Sequence, residues 1–231
     1  SKNLSKKYSI PIIEGITFRN GYNQYNGGSM YISQANISFL KCVFEANKSK
    51  NSGGAIEISG NSSPSFESCT FKNNYLEIDD GNNSSYGGAI NIEQPYTDYT
   101  KNNPIKITNS KFISNYIKSK NSGYGGAITS SRASQIINSV FIKNHVISNT
   151  DDSDYDESYG GAIHADNTWW NGSQSVGMDM VIVNSTFDGN YIKTATDDKV
   201  SSLWGSTISY GRWSNATPTA KTFIFNSIIR N

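Results

Sequence analysis

Hydrophobic and polar residues alternate along this chain in short stretches, without the longer period of an amphipathic helix. In Ile56-Glu-Ile58 and Ile90-Asn-Ile92 the apolar side chains are two positions apart, so they lie on the same face of a strand. Gly, Asn and Ser separate these stretches, as is usual for turns. The pattern predicts an all-β chain of many short strands.

Two motifs recur in strict alternation. The first is Gly-Gly-Ala-Ile, with degenerate copies at Gly27–Met30 and Gly205–Ile208; the identical copies are Gly53–Ile56, Gly87–Ile90, Gly125–Ile128 and Gly160–Ile163. The second is Phe-x-x-Asn, found at Phe44–Asn47, Phe71–Asn74, Phe112–Asn115, Phe141–Asn144 and Phe187–Asn190. Aligning the second motif gives two further columns, one of Phe39, Phe66, Ile107, Ile136 and Ile182, and one of Cys42, Cys69, Ser110, Ser139 and Ser185.

Such columns indicate a solenoid in which like residues stack at the ~4.8 Å spacing of neighbouring strands. We therefore predict a right-handed, single-stranded parallel β-helix of about seven coils, three-faced, that occupies residues 1–231 as a single domain and is a fragment of a larger protein. Gly-Gly is expected at a bend, and the Asn of Phe-x-x-Asn is expected in turn or left-handed geometry. The predicted loop insertions are Tyr75–Tyr86, Gln94–Pro104, Val146–Tyr159, Thr168–Gly177 and Lys193–Leu203.

The paired motifs resemble the chlamydial polymorphic outer membrane protein repeat, over roughly Ile13–Asn231. The resemblance implies a β-helical passenger module of adhesins and large surface proteins, located outside the cell or on its surface. The chain departs from that family in its long polar insertions and in showing no translocating barrel.

Charge and hydropathy restrict the partners. A formal net charge of +1, with scattered lysines, gives no concentrated basic face for nucleic acid. No apolar stretch reaches the ~18 residues that a membrane-spanning helix needs, so we expect no direct membrane insertion by this segment.

Two candidate binding features lie in the C-terminal half. Asp152, Asp154 and Asp156 alternate as calcium ligands do, although the loop lacks the glycine and the final carboxylate of an EF-hand; the alternative is a solvated acidic loop. All four tryptophans, Trp169, Trp170, Trp204 and Trp213, lie in or beside segments that break the repeat. They are predicted to form an aromatic surface for a glycan or protein partner, or else to cover the core.

Candidate catalytic groups are fewer. Strand alternation predicts that His164 points outward, in a column with Glu57, Asn91 and Thr129 and beside a column that holds Glu93 and Asp166. These are the residues that an acid–base enzyme could use, but the outward faces otherwise lack a dense ionisable cleft. Cys42 and Cys69 are expected to stack as buried thiols in preference to a disulfide, because parallel in-register neighbours do not readily reach its dihedral angle.

We therefore expect a surface-displayed, adhesin-like segment that binds a protein or glycan on a cell surface through its loops and lateral face. The alternatives are a passive stalk in a large surface protein, which needs no exposed aromatic patch, and a polysaccharide lyase or hydrolase, which needs a cleft with convergent ionisable groups.

Overall fold

A computed structural model describes residues 10–78, 84–94, 103–148, 157–166, 168–170, 175–177, 179–194, 202–211 and 221–230. Within these ranges, 30 strands form five parallel sheets, and two more form an antiparallel hairpin. Neighbouring strands in each of the five parallel sheets come from successive coils, so the predicted parallel β-helix is confirmed. No helix that could cross a membrane occurs in the described part of the chain.

The five sheets are named A to E in the order in which one coil enters them. Sheet A contains β1 (Ile12–Glu14), β5 (Ser38–Leu40), β9 (Ser65–Glu67), β14 (Ile105–Thr108), β19 (Ser134–Ile137), β26 (Met180–Val183) and β31 (Thr222–Phe225). Sheet B contains β2 (Thr17–Arg19), β6 (Val43–Glu45), β10 (Thr70–Lys72), β15 (Lys111–Ile113), β20 (Val140–Ile142), β27 (Thr186–Asp188) and β32 (Ile228–Arg230). Sheet C contains β3 (Tyr22–Asn23), β7 (Lys48–Ser49), β11 (Tyr75–Ile78), β16 (Tyr116–Ser119), β21 (His145–Ser148) and β28 (Tyr191–Thr194).

Two further sheets complete the coil. Sheet D contains β12 (Ser85–Tyr86), β17 (Gly123–Tyr124), β22 (Glu157–Tyr159) and β29 (Ser202–Trp204). Sheet E contains β4 (Met30–Ser33), β8 (Ile56–Ser59), β13 (Ile90–Ile92), β18 (Ile128–Ser130), β23 (Ile163–Asp166) and β30 (Ile208–Gly211). The hairpin consists of β24 (Thr168–Trp170) and β25 (Ser175–Gly177).

The main core lies between sheets A, B and E, where the inward side chains stack on their copies in the next coil. Ile107, Ile136 and Ile182 pair in register and are fully buried, as predicted from their common column. Along sheet B, phenylalanine rings stack face to face, with 4.7 Å between the ring centroids of Phe71 and Phe112. A separate small cluster, Leu76, Ile78, Ile117 and Val146, lies on the inward side of sheet C.

Cys42 and Cys69 are free and buried, which confirms the thiol interpretation. The Sγ of Cys69 donates to the carbonyl of Phe39 at 3.5 Å, and burial raises the pKa of its thiol to about 11. In later coils serine occupies the same column, and the hydroxyl of Ser139 accepts a bond from the backbone N–H of Ser110 at 3.2 Å.

The asparagines of Phe-x-x-Asn form a buried ladder between sheets B and C, and this corrects their predicted conformation. The left-handed φ belongs to the residue before each asparagine, for example 53° at Ser114 and 54° at Lys143. The side chain of Asn115 instead donates to Asn144 Oδ1 at 2.9 Å and to the carbonyl of Phe71 at 3.0 Å. Its Oδ1 accepts from the amide side chain and the backbone N–H of Asn74. The ladder therefore joins neighbouring coils without leaving this amide unpaired.

The Gly-Gly pairs lie where the chain turns from sheet D into sheet E, against the start of sheet C. A Cβ on Gly126 would collide with the carbonyl of Gly161 and approach the backbone nitrogen of His145 to 2.6 Å. The preceding Gly125 has φ +68°, which L side chains rarely adopt. Both observations confirm that the bend requires glycine.

The prediction of three faces is wrong, because a full coil such as residues 105–130 contains five strands. The sequence interpretation placed parts of sheets C and D in loops. Tyr75–Ile78 and Glu157–Tyr159, both within predicted insertions, are paired strands. The aligned columns missed them because the number of residues between sheet C and sheet D differs from coil to coil.

Candidate functional site

The predicted tryptophan surface lies only partly within the described residues. Trp169 and Trp170 belong to the antiparallel hairpin, opposite Val176 and Ser175, so this segment does leave the solenoid as predicted. Trp204 is the partner of Tyr159 in sheet D. Trp213 lies outside the described residues, and the structure does not describe the side chains of the other three tryptophans. The role of all four in binding stays a prediction.

The predicted calcium ligands Asp152, Asp154 and Asp156 also lie outside the described residues. Within the described ranges, no three His, Cys, Asp or Glu side chains come together to hold a metal ion. Calcium binding by the acidic segment therefore stays a prediction.

The candidate catalytic column is buried, which corrects the expectation that it faces solvent. Glu57 is 0% exposed and His164 is 2% exposed, and Asn91 and Thr129 lie between them in register. The cover comes from sheet D: the rings of Tyr124 and Tyr159 contact the His164 ring with 5.1 Å between centroids. Three coil spacings separate Glu57 from His164, which is ~14 Å at ~4.8 Å per strand. The two groups therefore cannot act on the same atom.

Burial favours the uncharged form of both groups, although the hydrogen bonds that Glu57 accepts favour its carboxylate form. Glu57 accepts from Ser52 Oγ at 2.6 Å and from Asn91 Nδ2 at 2.8 Å, and desolvation, with Glu93 nearby, raises its pKa to about 8. Burial lowers the pKa of His164 to about 3, and its Nδ1 lies 2.9 Å from Ser209 Oγ. The column is thus a neutral polar layer between sheets D and E.

An aromatic ladder on the outer face of sheet C is a site that the sequence interpretation missed. Tyr75, Tyr116, His145 and Tyr191 pair in register. Successive ring centroids are 4.9, 5.2 and 4.7 Å apart, with interplanar angles of 11°, 5° and 4°. The side chains are half-buried in the middle of the ladder, and Tyr191 is 37% exposed. One signal in the sequence marks these positions, since each aromatic residue directly follows the Asn of a Phe-x-x-Asn motif.

Charged side chains border this ladder. Lys48 Nζ lies 5.2 Å from the Tyr75 ring centroid, and it also pairs with Glu77 at 3.1 Å. Lys118 pairs with the other oxygen of Glu77 at 3.5 Å, and Lys193 lies in the same outward column. We define the sheet C stripe as this outward surface of Tyr22, Lys48, Tyr75, Glu77, Tyr116, Lys118, His145, Ile147, Tyr191 and Lys193.

Arg132 is a second residue whose environment the sequence did not reveal. Its side chain is 1% exposed and donates to the carbonyl groups of Glu93, Ser62 and Gly60. These acceptors come from the turns between sheets E and A in the two preceding coils. Arg132 therefore fastens three coils together.

A shallow depression of about 260 Å³ lies at the outer edge of sheet A. Asn36, Ser63, Asn103 and Lys106 are among its lining residues. Ser63 Oγ donates to the carbonyl of Asn103 at 3.0 Å, so two lining residues from successive coils are joined. Lys106 is the only ionisable side chain among the described lining residues. These residues therefore do not supply a general acid and a general base to the depression.

No known protein family, curated protein or solved structure matches this chain. The resemblance to the polymorphic outer membrane protein repeat therefore stays a prediction based on the two motifs.

Proposed function

We propose that this chain is an adhesin-like binding segment, displayed outside the cell, that engages a protein or glycan on a cell surface through its lateral face and loops. The observation that carries the proposal is the aromatic ladder on the outer face of sheet C.

The solenoid does not need this ladder for its main core. That core is filled by the inward residues of sheets A, B and E, whereas the ladder lies on the opposite, solvent-facing side of sheet C. Tyrosine supplies a large contact area with few rotatable bonds, and it is enriched among residues that dominate binding energies. The ladder also sits on paired strands of a rigid support, so little entropy is lost when a partner binds.

The buried column of Glu57, Asn91, Thr129 and His164 favours binding over catalysis as the function. An acid–base enzyme needs its ionisable groups around one reacting atom, and the separation of Glu57 and His164 does not provide this. A passive stalk is the closer alternative, and it requires no ordered aromatic surface.

The test removes two ladder rings and compares the variant with an outward pair of similar burial elsewhere. Tyr116→Ser with Tyr191→Ser alters sheet C, and Ile113→Ser with Ile142→Ser alters the outer face of sheet B. Binding of the labelled protein to a panel of intact cells and immobilised glycans is measured for both. The proposal expects loss of binding in the tyrosine variant alone, with an unchanged β-sheet circular dichroism spectrum.

A second variant tests the loops. Trp169→Ala with Trp170→Ala should also weaken cell binding while the melting temperature stays nearly constant, because the hairpin lies outside the coil pairing. Equal binding by the wild type, the tyrosine variant and the tryptophan variant would favour the stalk.

A further inference from the structure

The four stacked rings of the aromatic ladder present their edges to solvent. Their planes are nearly parallel and follow one another at the strand spacing, so each inner face is covered by the next ring. At one end, the ammonium group of Lys48 covers the Tyr75 ring. Sugars and bases that bind by stacking need free ring faces. The interior of this ladder offers none.

A ring edge differs from a ring face in its electrostatics. The quadrupole of an aromatic ring makes the face negative and the edge positive. The tyrosine hydroxyl groups at these edges can donate hydrogen bonds, and the lysine ammonium groups only donate. The solvent side of the ladder is therefore suited to acceptors.

The stripe carries an excess of positive charge, with three lysines against one carboxylate. Its cations are Lys48, Lys118 and Lys193, and Glu77 is the only carboxylate among its residues. Both oxygens of Glu77 are already engaged by Lys48 and Lys118. Lys118 and Lys193 are exposed and lie two coils apart in one column.

From these features we infer that the partner of the sheet C stripe is a linear anionic polysaccharide, bearing sulfate or carboxylate groups and lying along the solenoid axis. This inference rests on the proposed binding function and names its ligand class. The six strands of sheet C give a track of ~24 Å at ~4.8 Å per strand, which suits an extended chain with repeated acidic groups. A single-stranded nucleic acid is disfavoured, because its bases would find no free ring faces in the ladder.

The experiment uses the whole chain and two variants of equal charge. Lys118→Gln with Lys193→Gln removes two exposed cations from the stripe, and Lys106→Gln with Lys111→Gln removes two exposed cations from sheets A and B. Affinities for dextran sulfate, polygalacturonate, unsubstituted dextran and a single-stranded oligonucleotide are measured at low and physiological salt. We expect binding to dextran sulfate or polygalacturonate, weakened at least tenfold by the stripe variant and less than twofold by the control.

Each other outcome would overturn the inference. Equal weakening by both lysine variants would show a response to net charge alone, and equal binding of unsubstituted dextran or of the oligonucleotide would remove the assignment to an acidic glycan. If no polyanion binds while Tyr116→Ser with Tyr191→Ser still abolishes cell binding, the ligand class is wrong and the binding function stands. If that tyrosine variant and the tryptophan variant both bind cells normally, the proposed function itself fails.

Discussion

The side chain of Asn74 donates to Asn115 Oδ1 at 2.9 Å, and the backbone N–H of Asn74 donates to the same atom at 3.0 Å. Replacing Asn115 by Ala leaves these two buried donors without an acceptor. Each unsatisfied group costs about 1–3 kcal/mol, so we expect the free energy of unfolding to fall by about 2–6 kcal/mol. Chemical denaturation measures this loss.

The control for Asn115→Ala in the asparagine ladder is Asn138→Gly. Asn138 is an exposed asparagine that donates to Asn109 Oδ1 at 3.3 Å, and its φ of 51° suits glycine. We expect a loss below about 1 kcal/mol there. Similar losses in the two variants would mean that burial of the ladder contributes little.

Gly126→Ala should prevent this coil from packing against the next one. Its Cβ would meet backbone atoms of Gly161 and His145, which cannot move as a flexible side chain can. We expect the variant to be insoluble or to melt far below the wild type in circular dichroism. Gly189→Ala is the matched control, since its added Cβ would contact only Lys143 Cγ at 3.7 Å, and its φ of +60° predicts a cost of about 1 kcal/mol. A Gly126→Ala protein as stable as this control would contradict the packing argument.

Glu57 should make stability fall as pH rises. Its pKa is about 8 in the folded chain, against an ordinary value of 4.5, so the unfolded chain holds fewer protons between those values. The free energy of unfolding then decreases by up to about 1.4 kcal/mol per pH unit across this window. Glu57→Gln should flatten the profile between pH 4.5 and 8, and Glu67→Gln, which changes an exposed carboxyl, should not. An unchanged slope in Glu57→Gln would refute the assignment.

His164 should act in the opposite direction. Its pKa is about 3 in the folded chain, so between pH 6.5 and 3 the unfolded chain binds a proton that the folded chain excludes. Stability from this group is present above pH 6.5 and is lost as the pH falls. His164→Gln should reduce this acid-side loss more than His145→Gln does, as measured by urea unfolding at several pH values. Equal profiles for the two variants would contradict the burial of His164.

Calcium binding by Asp152, Asp154 and Asp156 has a direct thermal test. A ligand that binds only the folded chain raises the melting temperature, so EDTA should lower it and millimolar calcium should restore it. Asp152→Asn with Asp154→Asn should abolish the response. If calcium has no effect on the wild type, the segment is a solvated acidic loop.

Much of the solenoid could be predicted because like residues stack on like. The column of Ile107, Ile136 and Ile182 was visible in the sequence because burial demands the same residue type in every coil. Sheet D was not visible in the sequence, since its strands are only two or three residues long and follow sheet C after unequal numbers of residues. Without sheet D, alternation alone placed His164 on the outside.

The candidate site was harder to predict than the core. The column that contains the aromatic ladder also contains His145 and Lys48. Because its positions hold different residue types, the column is hard to recognise in the sequence. The burial of Arg132 depends on carbonyl groups from turns far away in the sequence, which no local pattern encodes.

The phenylalanine stack shows that the spacing between coils does not depend on the number of residues in each coil. Phe71 and Phe112 are 41 positions apart in the chain and Phe112 and Phe141 are 29 apart, yet both pairs of rings stand 4.7 Å apart. Segments of different length between the strands therefore do not shift the register of the next coil. A foreign peptide inserted between sheets C and D should likewise leave the register of the coils unchanged. The chain should therefore be a suitable scaffold for the display of epitopes.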